Sequence, residues 1–159
     1  MCLCRGAARQ FCKQNRQNYN KEVYLNVSRE TMTRQELFAY IEAEYNVTPD
    51  YPWLESPEGA VFRHGDNRKW FALSMPIPRR YAYHGEEGEV DAVNLKCDPV
   101  LSAMVRGEAG ILPAYHMSKV HWITVLLDGT ADDDRLRFLI RHSFELTKSK
   151  KRQIKKKGS

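Results

Sequence analysis

The segment Pro113-Ala-Tyr-His-Met-Ser-Lys-Val-His-Trp122 gathers Tyr115, His116, Lys119, His121 and Trp122 within ten residues. A lysine beside aromatic planes can hold a phosphate while a ring stacks on a base. The same residues also read as rings packed inward with Lys119 solvating a turn, and the segment alone favours that second reading. A second basic cluster lies at Arg63, Arg68 and Lys69, around Gly65-Asp-Asn67, with Arg79-Arg80 further on. A hairpin with basic flanks can reach phosphates in a groove. Charged residues also protect an exposed sheet edge from pairing with other chains.

Other chemistry finds less support. Ser74, Ser102 and Ser118 have no Gly-x-Ser-x-Gly context, so no hydrolase elbow is present. Cys97 ends an alternating apolar stretch, where a thiol is buried and inert. Neither Gly-x-x-x-x-Gly-Lys nor Gly-x-Gly-x-x-Gly occurs. The acidic stretch Gly85–Asp91 lacks the pattern of a calcium loop and reads as a solvated hairpin tip. His116 and His121, five apart, fall on opposite sides of a continuous strand and do not share a metal. Cys2, Cys4 and Cys12 offer three thiols with no fourth ligand nearby, where a closed zinc site takes four. They read as reduced thiols on a leader, and no metal, cofactor or catalytic set is assigned. An enzyme would need Cys97 to meet His116 and His121 in space.

The elements that must position these residues follow from composition and periodicity. The chain has 159 residues, 42% of them hydrophobic, enough for one domain with a core. No apolar run approaches the roughly 20 residues that span a bilayer, and no secretory leader is evident. The expectation is a cytoplasmic protein without a membrane partner. The net charge of +5 divides unevenly. Residues 1–30 carry six basic and two acidic side chains, and residues 148–159 carry seven basic and none acidic. Residues 31–147 are left at −6, with 12 basic and 18 acidic side chains. The expected organisation is a flexible basic extension over 1–30, a folded domain over 31–147 and a disordered Lys-rich tail over 148–159.

Thr33 and Glu36 form a capping box for a helix carrying Leu37, Phe38, Ile41 and Tyr45 at helical spacing and ending near Asn46. Thr48–Gly59 reads as loop, with Trp53 anchored on the core. Ala60–His64 and Lys69–Met75 form a hairpin, with Pro76 and Pro78 ending the second strand or leaving it at an edge. A strand is predicted to begin at Tyr81–Tyr83, and Glu89–Cys97 alternates between two faces. Asp98-Pro99 opens a short helix to Arg106. Ile111–Tyr115 and His121–Leu127 are strands, the latter apolar on both faces and therefore central. Asp132–Asp134 start a last helix with Leu136, Leu139, Ile140, Phe144 and Thr147 on one stripe. Val23–Val27 is a possible extra strand. The order implies an α+β, two-layer domain: an antiparallel sheet of five or six strands with helices packed on it.

Three segments make the chain resemble the MmcQ/YjbR family of small bacterial proteins. They are Tyr51-Pro-Trp53 leading into Phe62-Arg63 and Lys69-Trp-Phe-Ala-Leu73; Val93-Asn-Leu-Lys-Cys-Asp-Pro99; and Gly110 through Val125 with its Tyr-His-Met-x-Lys-x-His-Trp core, followed by Leu127-Asp-Gly129. The resemblance covers about residues 33–147. It implies a double-wing α+β domain that binds DNA, with no catalytic activity and no cofactor. By position it points to Arg63, Arg68, Lys69, Lys96, His116 and Lys119. The tail residues Lys150, Lys151 and Arg152 lie outside the resemblance and are added for their charge. The acidic Gly85–Asp91 tip departs from what a DNA-gripping wing requires. The alternative is an adaptor domain that binds a protein or small ligand and has no nucleic-acid role.

Overall fold

The computed structural model describes residues 31–150. Helix α1 (Arg34–Tyr45) begins at the Thr33–Glu36 capping box and ends at Asn46, which takes the left-handed conformation with φ 53°. Strands β1 (Ala60–Arg63) and β2 (Trp70–Pro78) form the first hairpin. A single helical turn, α2 (Arg79–Ala82), leads to β3 (Glu89–Lys96). Helix α3 (Pro99–Val105), the short strand β4 (Ile111–Pro113), β5 (Trp122–Leu126) and the long helix α4 (Asp133–Thr147) complete the domain. The five strands lie in the order β1-β2-β3-β5-β4, with every neighbouring pair antiparallel. The α+β, two-layer reading holds.

Period-2 alternation sorts the side chains onto two faces. Ala60, Phe62, Ala72, Val93, Leu95, Ile123 and Val125 form the floor of the main core, covered by Leu37 and Ile41 of α1 and Leu136, Leu139 and Ile140 of α4. The opposite face buries Ile77, Val90, Ala92 and Leu126 beneath Met75, Tyr83, Leu112 and Tyr115. Both faces are therefore dry, which is why β5 is buried throughout and, Thr124 apart, apolar.

The first hairpin is not regular. Phe62 pairs with Ala72 and Arg63 with Trp70, so Phe71 is an extra residue on β2. A bulge of this kind sends two successive side chains toward the same face. Phe71 and Ala72 accordingly both enter the main core. The β2–β3 ladder stops at Ala72–Leu95, leaving backbone groups beyond it without strand partners. The Ser143 hydroxyl fills the gap: it donates to the Phe71 carbonyl and accepts from the Lys96 N–H at 2.8 Å. Ser143 is fully buried, and this contact fixes the register of α4 on the sheet. One turn further on, His64 Nε2 lies 3.0 Å from the Phe144 carbonyl and 2.9 Å from Thr147 Oγ1. Asn67 donates to the Thr147 carbonyl. The hairpin thus caps the C-terminal end of α4.

Two local expectations need correction. Tyr81–Tyr83 does not begin a strand, because residues 79–82 make the helical turn α2. Arg79 donates to the Gly88 carbonyl and Tyr83 to the Arg79 carbonyl, so the chain closes on itself before β3 starts. Gly85 and Gly88, with φ of 79° and 91°, supply the left-handed residues of that closure. Ile111–Tyr115 is a strand only to Pro113. The edge reading of Pro76 and Pro78 holds. Both remain in β2, opposite Asp91 and Glu89, beyond the point where β1 has ended at Ala60–Ser74. β2 there needs pairing on one side alone, so a proline without an N–H is tolerated. Val23–Val27 lies outside the described residues.

Ser143→Ala removes one hydroxyl and leaves a buried carbonyl and a buried N–H unpaired. We expect a loss of about 1–3 kcal/mol, read as a lower urea midpoint at unchanged slope.

Candidate nucleic-acid interface

Antiparallel pairing decides which loops meet. The end of β1, the start of β2, the end of β3, the start of β5 and the end of β4 share one end of the sheet. At that end lie the hairpin 64–69, the Lys96–Asp98 corner and the loop 114–121. Arg63, Arg68, Lys69, Lys96, His116 and Lys119 are therefore brought to one end. α4 also finishes there, against His64 and Asn67, so exposed Lys148 and Lys150 leave the domain at the same place. Lys151 and Arg152 lie outside the described residues. The acidic stretch Glu86, Glu87, Glu89 and Asp91 sits at the other end, at the β2–β3 turn.

The bulge at Phe71 has a direct consequence here. It restores Trp70 to the face that carries Arg63, opposite α4. Arg63 lies over the Trp70 ring, 5.0 Å from its centroid. Two strands along, Lys96 Nζ lies 5.3 Å from the centroid of Trp122, its register partner across β3 and β5. One end of this face thus reads cation, ring, cation, ring across four strands. Trp53 meets Trp70 edge-on at 5.6 Å, so it anchors on this ring and not on the core expected for it, to which it does not belong. A ring beneath each cation contributes about 0.5–1 kcal/mol at exposed sites and restricts the side chain before any ligand arrives.

The cations are not equally free. Arg63 Nε is 3.0 Å from Asp50 Oδ2, and Arg68 reaches the same oxygen at 4.0 Å. Asp50 is held at that spot by antiparallel bridging to Val61. With Tyr45, His64 and the two arginines it lines a cavity of about 330 Å³. Lys69, Lys96, Lys119 and Lys150 have no ion pair among the described residues. Arg68 and His116 adopt left-handed backbone, φ 59° and 54°, uncommon for residues other than glycine.

The 114–121 loop is pinned by buried polar groups. Asn94 donates to the Tyr115 carbonyl, and the Tyr115 N–H donates to Thr124 Oγ1, each at 2.8 Å. Thr124 in turn donates to Asn94 Oδ1. Tyr81 donates to the Pro113 carbonyl and packs edge-on against Tyr115. His116 lies against the other side of that ring set, 4.1 Å from the Tyr115 centroid. Asn94 and Thr124 escaped the sequence analysis as positioning residues. Their signal was two polar residues at register positions of two otherwise apolar central strands, which demands a polar partner.

Cys97 does not assemble with His116 and His121. Its hydrogen bond to His121 is backbone to backbone, and its side chain is buried under the helices. Burial pushes the thiol up to about 11, which leaves it protonated and a poor nucleophile at neutral pH. Its polar neighbours are instead Asp98 and His142, a grouping that no spacing in the sequence signals.

Fold and site together define a small α+β module with ring-supported cations gathered at one end of an antiparallel sheet. Residues 42–146 match the YjbR family profile, and the chain belongs to that family. It is 42% identical over 118 residues to the uncharacterised Bacillus subtilis protein YyaQ, covering 74% of this chain and 99% of the relative. A Pseudomonas syringae protein solved by crystallography is 45% identical, with a TM-score of 0.71 over 74% of this chain and all of the other. A Deinococcus radiodurans protein of the DUF419 domain class is 26% identical, with a TM-score of 0.55 over 73% of this chain and 78% of that one. No helix among the described residues is long and apolar enough to cross a membrane.

Thr124→Val orphans the Tyr115 N–H and removes a donor from Asn94. It should cost about 1–3 kcal/mol and speed hydrogen exchange at the Tyr115 amide more than in the main core; unchanged exchange there would mean the loop is held by other contacts.

Proposed function

We propose that the protein is a non-catalytic DNA-binding module that grips the phosphate backbone with the cationic end of its sheet. The carrying observation is the convergence of Lys96, Lys119, Lys69, Arg68 and the start of the basic tail at that end, inside a domain that is net negative. Distance supports the reading. From Lys96 to Glu89 is seven strand residues, about 23 Å at the usual rise. The Debye length at physiological salt is about 8 Å. A phosphate at the cationic end meets a local positive field, with the acidic turn largely screened. The tail adds affinity through counterion release without base specificity. Arg63 contributes less, because Asp50 already holds it.

A cytoplasmic location accords with this function. The adaptor reading draws support from a different observation. Val100 and Met104, one helical turn apart on α3, are 70% and 71% exposed, an apolar surface of the kind partners cover.

Anisotropy titrations of the full chain against duplex DNA at several salt concentrations decide between them. We expect salt-dependent binding. Lys96→Ala and Lys119→Ala should each lower the slope of log K against log salt by about one. Neutralising Lys150, Lys151, Arg152, Lys155, Lys156 and Lys157 to Gln should lower it further. Absence of salt-dependent binding at low ionic strength, or a slope indifferent to Lys96 and Lys119, would remove the folded domain as the DNA reader. Partners retained from nuclease-treated lysate by the wild type but not by Met104→Glu would favour the adaptor.

A further inference from the structure

The corner after β3 holds two metal-ligating groups that the DNA-binding reading does not use, Cys97 and Asp98, and α4 brings a third, His142, against them. Cys97 continues the β3–β5 ladder through its N–H to the His121 carbonyl at 2.9 Å, so its backbone is fixed. Its side chain is 1% exposed. Asp98 caps α3 with one oxygen, Oδ1, which accepts from Val100 and Leu101 at 3.0 Å each. The other oxygen, Oδ2, is left facing α4. There it lies 3.0 Å from His142 Nε2. That nitrogen is buried and makes no well-aligned hydrogen bond. His142 precedes Ser143, whose hydroxyl locks α4 to the sheet, so the backbone that carries the imidazole is fixed. The donor atoms of all three residues lie within 4.8 Å of one another.

We infer that Cys97, Asp98 and His142 form a binding site for a zinc-class divalent cation. Tetrahedral bonds of about 2.3 Å to sulfur and 2.0–2.1 Å to nitrogen and oxygen place ligand atoms about 3.3–3.6 Å apart. With all three donors within 4.8 Å, contraction of at most about 1 Å and a slight opening of the 3.0 Å Asp98–His142 pair reach this geometry through side-chain torsions. One sulfur, one imidazole nitrogen and one carboxylate oxygen suit zinc or cobalt rather than calcium or magnesium. Binding displaces the thiol proton to solvent, and the resulting thiolate and the carboxylate balance the double charge. The side chains of His142 and Asp98 remain 28% and 35% exposed, which opens the fourth position to water or an external donor. The ion would join the β3–α3 corner to α4, directly behind the strand end that carries Lys96.

Cys2, Cys4 and Cys12 would compete for metal, so the test uses the full chain with Cys2→Ser, Cys4→Ser and Cys12→Ser. Cobalt(II) chloride is added and absorption is followed. We expect one equivalent bound, with a thiolate-to-cobalt charge-transfer band and tetrahedral d–d bands that zinc abolishes. Cys97→Ser should remove the charge-transfer band. His142→Ala, a partly exposed position that does not depend on the core, should weaken cobalt binding about 100-fold or more, the upper range for disturbing even the outer shell of a metal site. Asp98→Asn should weaken it in the same sense. A natively folded background protein, judged by near-ultraviolet circular dichroism, that gives no thiolate-to-cobalt band overturns the assignment. So does a band whose affinity is indifferent to His142→Ala. Should Cys97→Ser fail to fold, the His142 and Asp98 variants decide alone.

Discussion

One extra residue in β2, and the serine hydroxyl that answers it, set the geometry on which the rest depends. Without the bulge at Phe71, Trp70 would point into the helix layer and Arg63 would have no ring beneath it. With the bulge, a carbonyl and an N–H lose their strand partners at the place where β2 and β3 separate. Burying both unpaired would cost about 1–3 kcal/mol for each group. Ser143 removes that cost with a single side chain that both donates and accepts. The same contact decides how far α4 slides along the sheet. Its last turn then meets His64 and Asn67, and its basic continuation starts beside the hairpin.

That register converts an acidic domain into a polarised one. Antiparallel strands send alternate connections to opposite ends. The β2–β3 turn, rich in glutamate, is separated from the hairpin and the 114–121 loop by the full length of β3. Net charge over 31–147 is a poor guide to what a polyanion meets, because screening limits each side chain to its own surroundings. Asp50 shows the other side of this locality. A single carboxylate within 4.0 Å of two guanidiniums removes more of their attraction than the distant acidic turn does. Lys69, Lys96 and Lys119, which have no ion pair among the described residues, present freer charge than the arginines that the hairpin sequence makes conspicuous.

Much of this was legible in the residues. The Thr33–Glu36 box, the Asp98-Pro99 start, the two faces of β3 and the stripe of α4 each rest on local rules, and the structure follows them. The illegible parts are those where a tertiary partner overrides a local signal. Tyr81–Tyr83 alternates like a strand, yet Gly85 and Gly88 let the chain return to Arg79 and close a helical turn. Phe71 is one apolar residue in an apolar run, and nothing local says that it is supernumerary until Ser143, 72 positions away, supplies the missing partner. His142 lies on the α4 face beside the apolar stripe and gives no hint that a cysteine and an aspartate from the β3–α3 corner will face it. Convergence of the cations at one end followed from strand order, which alternation does not reveal.

The motif that makes the family recognisable divides by role once its contacts are known. Tyr115 supplies both its N–H and its carbonyl to the Asn94–Thr124 pair, and its ring to Tyr81 and His116. Trp122 is buried beneath Lys96, and the His121 carbonyl is committed to Cys97. These residues build and hold the loop. His116, Ser118, Lys119 and His121 are the motif side chains left exposed with a polar head to offer, and Lys119 is the cation among them. A distinctive sequence here is therefore mostly the signature of a positioned loop, and any recognition it performs passes through a few side chains whose placement the rest of the motif secures. The inward-packing reading and the phosphate reading describe different residues of the same segment: the rings fix the geometry, and Lys119 with Lys96 carries the charge that the geometry presents.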